Sequence, residues 1–590
     1  MRHRLPPLVL GASALALVAL ALTAVAPRDA RACGGFACSA TFPVGQTGPA
    51  HIAQAGERVI FVKGDDGVTM LVEVRYGGDP TEFAWILPIP ATRDAHGQLP
   101  PIEDLLDVSS AEVFARLQAA TDPTFVATID QGGAGNACSS SGGFGCGDDG
   151  SATKSEDGNG NSIADVHGQS PYVTVSGSAK VGPYDATLVE ATQADALYTW
   201  LGDHGYYQDP AARPLLASYI DKGWAFVTLK LQASSRSGDV RPIVLHLGED
   251  APCVPLRLTS IAAYDDMPII VWVVGPARAV PKNFLSAVVN DMALTFPNAP
   301  EYADHVSAAV DQAGGHAWVT EMSGPAADLR PRFLGDFAEE PFDQATSLLE
   351  LWRSLGAFAT SDALEAILRE ELRAPPGVDE AAFYDDPTRY IADDGVGFVH
   401  DLATLKGRIA DELVQPLRDA SALFADGATL TRFFTTTDAA EMTRDPIFAF
   451  NPDLPPVSSV HTAVAASGTD GKCSGFWEVT YPDGRRMRFD TATVAAKGFP
   501  AVADEPALLQ VEVLDETGQA RAFDPAQAKE VDALLDVAQP GTPSLPKGFH
   551  LDQSPSAQEH LDLGCNMSLP AAWILIPLLV LAALRRRARG

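Results

Sequence analysis

Two hydrophobic periods organise the body of the chain. Between residues 57 and 89 the period is two. Residues 58–62 are apolar and β-prone, and in 69–76 Met70, Val72, Val74 and Tyr76 alternate with Leu71, Glu73 and Arg75. Such alternation sends successive side chains to opposite faces of a strand. Gly64-Asp65-Asp66-Gly67 between the two runs is a turn signal, so the pair predicts a β-hairpin. Residues 83–87 predict a third strand, ended by Pro88 and Pro90. Over 102–120 the period becomes helical, with Leu105, Leu106, Val113, Phe114 and Leu117 on one side. Further helices are predicted at 194–201 and 212–220, and strands at 224–231, 243–247, 254–261 and 268–274.

From 342 to 434 the pattern is mainly helical. One helix opens at Asp362 and Glu365, carries Leu364, Ile367, Leu368 and Leu372 on one face, and stops at Pro375-Pro376-Gly377. Another covers 402–424, with a break or kink at Pro416. Residues 445–457 are proline-rich and extended. Two hairpins follow: 476–489 around Pro482-Asp483-Gly484, and 507–514 with 520–523 around Glu516-Thr517-Gly518.

Both ends are apolar. Arg2 and Arg4 precede an almost unbroken apolar run over 8–26, then Ala30-Arg31-Ala32, the plan of a signal peptide cut before Cys33. A lipidated Cys33 and an uncleaved anchor helix are the competing readings. Residues 569–584 are apolar, hold Pro570 and Pro577, and run into Arg585, Arg586, Arg587 and Arg589, which predicts a short membrane span with a cytoplasmic basic end. A buried core helix is the alternative. The expected fold class is α+β and multi-domain. It comprises a signal peptide (1–32), a β-rich α+β region with packed helices (33–330), a mainly helical region (331–460) and a small β region (468–538). A flexible Gly/Ser/Asp loop interrupts the first region (131–168). A stalk (539–564) and a tail with a single C-terminal membrane span (565–590) complete the chain.

Composition narrows the class. With 46% hydrophobic residues among 590, the chain has apolar content for several cores, and length suggests about three to four domains. Its formal net charge is −34, with 42 basic and 76 acidic residues. Removing the end segments leaves 34 basic and 75 acidic residues, a net of −41. Such a body has no electrostatic case for gripping nucleic acid.

Cysteine use fits export. Cys33 and Cys38 close a small ring, Cys138 and Cys146 bracket a Ser/Gly loop, and Cys253 and Cys473 remain to pair at long range. A zinc site is the rival, although no C-x-x-C occurs.

Several stretches carry a family resemblance. They are Ala32-Cys33-Gly34-Gly35-Phe36-Ala37-Cys38, residues 54–61, and Phe83-Ala84-Trp85-Ile86-Leu87-Pro88-Ile89-Pro90. Gly182-Pro183-Tyr184-Asp185 leads on to Leu197-Tyr198-Thr199-Trp200-Leu201 and Gly205-Tyr206, and Val319-Thr320-Glu321 comes last. Together, over 33–324, they resemble the bacterial exported family called domain of unknown function 2330. Leu430-Thr431-Arg432 through Glu441-Met442 and 445–455 resembles a segment of the same surface proteins. The resemblance implies location and architecture and carries over no functional residue. At the other end Gly564-Cys565, the span and the arginines resemble a MYXO-CTERM sorting tag, which implies cleavage near Cys565 by a sorting protease. Plain membrane retention is the competing outcome.

Candidate chemistry is sparse. H-E-x-x-H, G-x-S-x-G and P-loop patterns are absent. The G-x-G-x-x-G match at 145–150 sits in the low-complexity loop, where its two acids would repel a pyrophosphate. His316 and Glu321 are close enough in sequence to form a base pair or hold a metal; a turn and strand doing no chemistry is the plainer reading. Asp157, Asn159, Asn161 and Asp165 space their oxygens like a calcium loop, but Ser162 stands where the motif has Gly and the closing Glu is missing. An ordinary loop competes with that reading, and no other cofactor is expected. Trp85, Trp200, Trp224, Trp272, Trp318 and Trp477 sit among apolar neighbours and read as core. The reading that results is an exported, surface- or membrane-anchored envelope protein with a structural or binding role. Its partners are signal peptidase, the membrane and a sorting protease, and no motif specifies a ligand. A secreted hydrolase with an unrecognised site and a calcium-dependent adhesion module are the alternatives.

Overall fold

The computed structural model describes residues 36–38, 53–77, 83–94, 96–130, 171–232, 240–248, 252–390, 401–469 and 475–536. The predicted hairpin forms as Ala53–Gly64 and Gly67–Gly77, paired antiparallel. Its alternation is resolved as expected: Val59 and Phe61 enter one core, Ile60 and Val62 another. The hairpin lies inside a ten-stranded mixed sheet. In spatial order the strands are Arg521–Phe523, Leu508–Val513, Leu285–Val289, Ala317–Pro325, Thr429–Thr437, Met267–Gly275, Ala53–Gly64, Gly67–Gly77, Ile243–Leu247 and Leu106–Val108. A five-stranded antiparallel sheet runs Phe36–Cys38, Phe83–Ile89, Ala225–Leu231, Tyr184–Ala191, Val173–Val181.

These two sheets pack face to face. Trp85, Leu87, Leu188, Val227 and Leu229 from the smaller sheet share one core with Val59, Phe61, Val72, Val271 and Phe433 from the larger. The outer face of the smaller sheet, through Ile86, Val189 and Phe226, is covered by the helices Ala194–Asp203 and Ala212–Ile220. The far face of the larger sheet, through Ile60, Ile270, Trp272, Val319, Leu430 and Phe434, packs on the helices Ala111–Thr121 and Tyr302–Gln312 and the helices of 330–423. The order of layers is therefore helix, sheet, sheet, helix. A four-stranded sheet, Arg486–Asp490, Gly475–Thr480, Val460–Thr469 and Thr124–Asp130, adds to the last core.

Both C-terminal hairpins form as predicted, and the face Leu364, Ile367, Leu368, Leu372 is buried. Three local expectations change. The helix expected over 102–120 is two, Ile102–Leu105 and Ala111–Thr121. Leu106–Val108 between them extends to pair with Ile243–Leu245, and Ser110 caps the second helix by accepting from Glu112 N at 3.3 Å. The strand expected at 254–261 contains the short helix Leu256–Thr259, because Leu256 packs into the sandwich core while Leu258 and Ile261 pack under the outer helices. The helix over 402–424 is broken one residue pair before Pro416. A π turn, Ala410–Val414, separates Leu402–Ile409 from Gln415–Leu423, at the point where the proline withholds an N–H from the ladder.

The mainly helical stretch also contributes Thr429–Thr437 to the middle of the ten-stranded sheet, between Met267–Gly275 and Ala317–Pro325. The small β region divides: Leu508–Val513 and Arg521–Phe523 complete that sheet, and Gly475–Thr480 with Arg486–Asp490 build the four-stranded one. Among the described residues no helix is long and apolar enough to cross a membrane; both apolar ends lie outside them.

Candidate functional site

At one end of the ten-stranded sheet the turn Gly64–Gly67, residues 92–94 and 98–101, and the strand end His246–Gly248 surround an open cleft of about 770 Å³. The cleft exists because two backbones approach without side chains. Gly67 has φ 139°, and a Cβ there would stand 2.1 Å from the Leu247 carbonyl oxygen. A Cβ on Gly248 would meet Thr92 at 2.5 Å. Val68, Leu99, Pro100 and Leu247 give apolar lining, and Asp65, Asp66 and Asp94 give an acidic rim. Asp94 is fixed by accepting from His96 N and Gln98 N, both at 2.8 Å. Arg93 pairs with Glu190, and His246 Nδ1 lies 3.4 Å from the Thr69 hydroxyl. This arrangement suits recognition of a solute by shape and negative charge.

A cluster of perturbed groups lies elsewhere, under the helices. Arg432, in the middle of Thr429–Thr437, faces Glu321 Oε2 and Asp122 Oδ1, each at 2.7 Å, and donates to the Thr121 hydroxyl at 3.2 Å. The Arg432 Nε–Glu321 approach is close but poorly aligned for a hydrogen bond, so its attraction is Coulombic. Tyr302 donates to Glu321 Oε1 at 2.9 Å, and Trp272 Nε1 to the Thr121 hydroxyl at 3.0 Å. Arg58 pairs with Glu73 and donates to Gln118 Oε1 at 2.8 Å. Burial pushes the Glu321 and Asp122 carboxyls up, against the pull of Arg432. Burial and the neighbouring Glu321 hold the Tyr302 hydroxyl well above its ordinary range. Glu321 and Arg432 are 2% and 3% exposed, so this network joins elements and does not meet a solute.

His316 and Glu321 do not come together. His316 Nδ1 lies 3.0 Å from Asp532 Oδ2, and its Nε2 lies 2.8 Å from the Glu441 carbonyl oxygen and 3.0 Å from the Thr443 hydroxyl. Through Asp532, which also pairs with Arg444, the histidine ties the helix Ala528–Asp536 to the sheet. Trp85, Trp200, Trp272 and Trp318 are buried as expected, and Trp224 and Trp477 are half-buried. Cys253 makes an isolated bridge with Ile447, and the backbone of Cys38 pairs with Phe83. Cys33, Cys138, Cys146, Cys473, Gly564 and Cys565 lie outside the described residues, as do the calcium candidates Asp157, Asn159, Asn161 and Asp165. Among the described residues no group of three or more His, Cys, Asp or Glu is placed to hold a metal ion.

Neither the cleft nor the Arg432 network is visible in the pattern of residue types taken one at a time. A signal for the second exists: an arginine flanked by Leu430, Phe433 and Phe434 inside a strand demands a buried anion.

Comparison with curated proteins gives no match, and comparison with solved structures gives none. A bacterial family described as an uncharacterized protein conserved in bacteria (DUF2330) matches residues 30–338, just over half of the 590-residue chain. That span takes in the whole five-stranded sheet, seven of the ten strands of the larger sheet together with the hairpin turn and cleft, and the acids that Arg432 neutralises from beyond it. The chain belongs to the DUF2330 family.

Proposed function

We propose that the protein is an exported envelope protein, anchored by its C-terminal segment, whose body has a binding or structural role outside the cytoplasm. The observation that carries this is the pair of ends: a charged start, an apolar run and Ala30-Arg31-Ala32 at one, and an apolar run closed by four arginines at the other. The cysteine spacing supports the same compartment through Cys33–Cys38, Cys138–Cys146 and Cys253–Cys473 disulfides. The open cleft supports a binding role, since it offers a shaped, acid-rimmed surface of about 770 Å³. A sorting protease acting at Gly564-Cys565 would move the body from the inner membrane to the surface.

Cell fractionation tests the proposal. The full chain is expected with the membrane fraction, beginning at Cys33, and a chain lacking 569–590 is expected in the soluble exported fraction. A truncated chain that stays in the membrane pellet with Cys33 unlipidated contradicts the anchor. A product that retains residues 1–32 contradicts the cleaved signal.

A further inference from the structure

Asp445 is buried between the outer helices and the sandwich, and its polar atoms are well used. Its Oδ1 accepts from Tyr219 OH at 2.8 Å and from Arg257 N at 3.1 Å, Lys222 Nζ lies 3.5 Å from Oδ2, and its carbonyl accepts from Asn283 at 2.8 Å. Arg257 is the opposite case. Its residue is 2% exposed, yet Nε and Nη2 have no hydrogen-bond partner. Its guanidinium lies 5.8 Å from the Tyr219 ring, and the Lys222 ammonium stands over the rings of Tyr219 and Trp224 at 5.5 and 5.4 Å.

Two facts together define what is missing. Nε and Nη2 are the adjacent donors on one edge of a guanidinium, the fork that grips a carboxylate or a single small anion with two N–H groups. In the cluster, Asp445 pairs with Lys222 and meets Arg257 through its backbone N–H rather than through the fork, so the two fork donors stay unmet. A buried charge with unmet donors is costly, and a well-packed interior does not leave it so without a partner. We propose that the Arg257 fork holds one small monovalent anion, a halide or a formate-sized carboxylate, as an internal counter-ion that fastens the helix Ala212–Ile220 to the sandwich. The near-complete burial of Arg257 restricts the occupant to a small anion, and Lys222, its side chain 36% exposed, lies on the solvent side of the cluster.

The test is thermal unfolding of the full chain in detergent at constant ionic strength, with chloride or formate replacing gluconate, an anion too large to enter. Tm is expected to rise by a few degrees and saturate with the small anion, as stabilisation by a ligand of the native state does. Saturation by chloride alone identifies a single-atom site, and stronger saturation by formate identifies two-oxygen recognition. Arg257→Met is expected to abolish the dependence, and Arg257→Lys, which keeps charge without the fork, to weaken the half-saturating concentration at least about tenfold. A wild-type Tm indifferent to the exchange, as interior water at the fork would give, overturns the proposal, and so does a dependence that survives in Arg257→Met. Should that variant fail to fold, chlorine-35 line broadening on the wild-type protein decides: broadening relieved by formate supports the site, and no broadening overturns it.

Discussion

Glu57 is buried in the strand Ala53–Gly64, with its Oε2 accepting from the Gln54 amide at 2.8 Å. Burial pushes its carboxyl up to about 7, only partly offset by that hydrogen bond. The folded chain therefore keeps a proton that the unfolded chain releases in the ordinary carboxylate range. Stability is expected to fall as pH rises from about 4.5 to about 7 and to level off above. Glu57→Gln removes this penalty, so at pH 8 it is expected to raise unfolding stability by roughly 3 kcal/mol and to flatten the pH dependence. Denaturant unfolding of both proteins at pH 5 and pH 8 checks it, and equal gains at both values would speak against the titration. Arg432 gives the reverse case. Arg432→Met strands Glu321 without its cation and is expected to cost about 3 to 5 kcal/mol. Adding Glu321→Gln is expected to recover much of that loss, because Asp122 is 24% exposed and water serves it. A double variant no better than the single one would contradict the pairing. Arg432 stands in the sequence as a lone charge inside a strand, which announces burial but names no partner, whereas Glu57 sits beside Arg58 and gives no such signal. The partners lie more than a hundred residues away for Arg432, beyond the reach of any local pattern.

At the scale of elements, the hairpin was legible because period-two alternation and a Gly-Asp-Asp-Gly turn agree. Its turn also makes a sharp test. Gly67→Ala puts a Cβ against the Leu247 carbonyl in a left-handed conformation, so it is expected to cost more than about 1 kcal/mol and to disturb the cleft. Denaturant midpoints together with proteolysis at residues 64–67 report both effects, and an unchanged midpoint would mean that the close approach is not real. The misread elements share one physical cause. Leu106–Val108 lies within the helical apolar spacing of 102–120, and becomes a strand because Ile243–Leu245 offers it a ladder. Leu256–Thr259 becomes a helix because its apolar side chains must serve two different cores. In both, tertiary packing overrides the local hydrophobic pattern. By contrast the face of Asp362–Glu371 is set by its own spacing and by the Ser361 cap, which accepts from Leu364 N at 3.1 Å, so it could be read directly.

At the scale of the whole molecule, the family segment does not close on itself. Thr429–Thr437 lies beyond residue 338, yet it pairs along nine positions with Met267–Gly275 and also borders Ala317–Pro325. Val460–Thr469 likewise supplies the sheet partner of Thr124–Asp130. Sequence order gives no hint of this, because a linear scan divides the chain where composition shifts, while a sheet can take its strands from anywhere. Without Thr429–Thr437 two central strands would expose their backbone groups, the two large cores would lose Leu430, Phe433 and Phe434, and Glu321 would be buried beside no cation. The central claim is that the described residues between 36 and 536 form one structure rather than a family domain with appendages. Its most direct test is the circular dichroism and urea unfolding of residues 33–338, alone and refolded together with residues 339–536. The account predicts no cooperative transition for 33–338 alone and a cooperative transition on adding the second segment. A sharp, native-like unfolding transition from 33–338 by itself would contradict it.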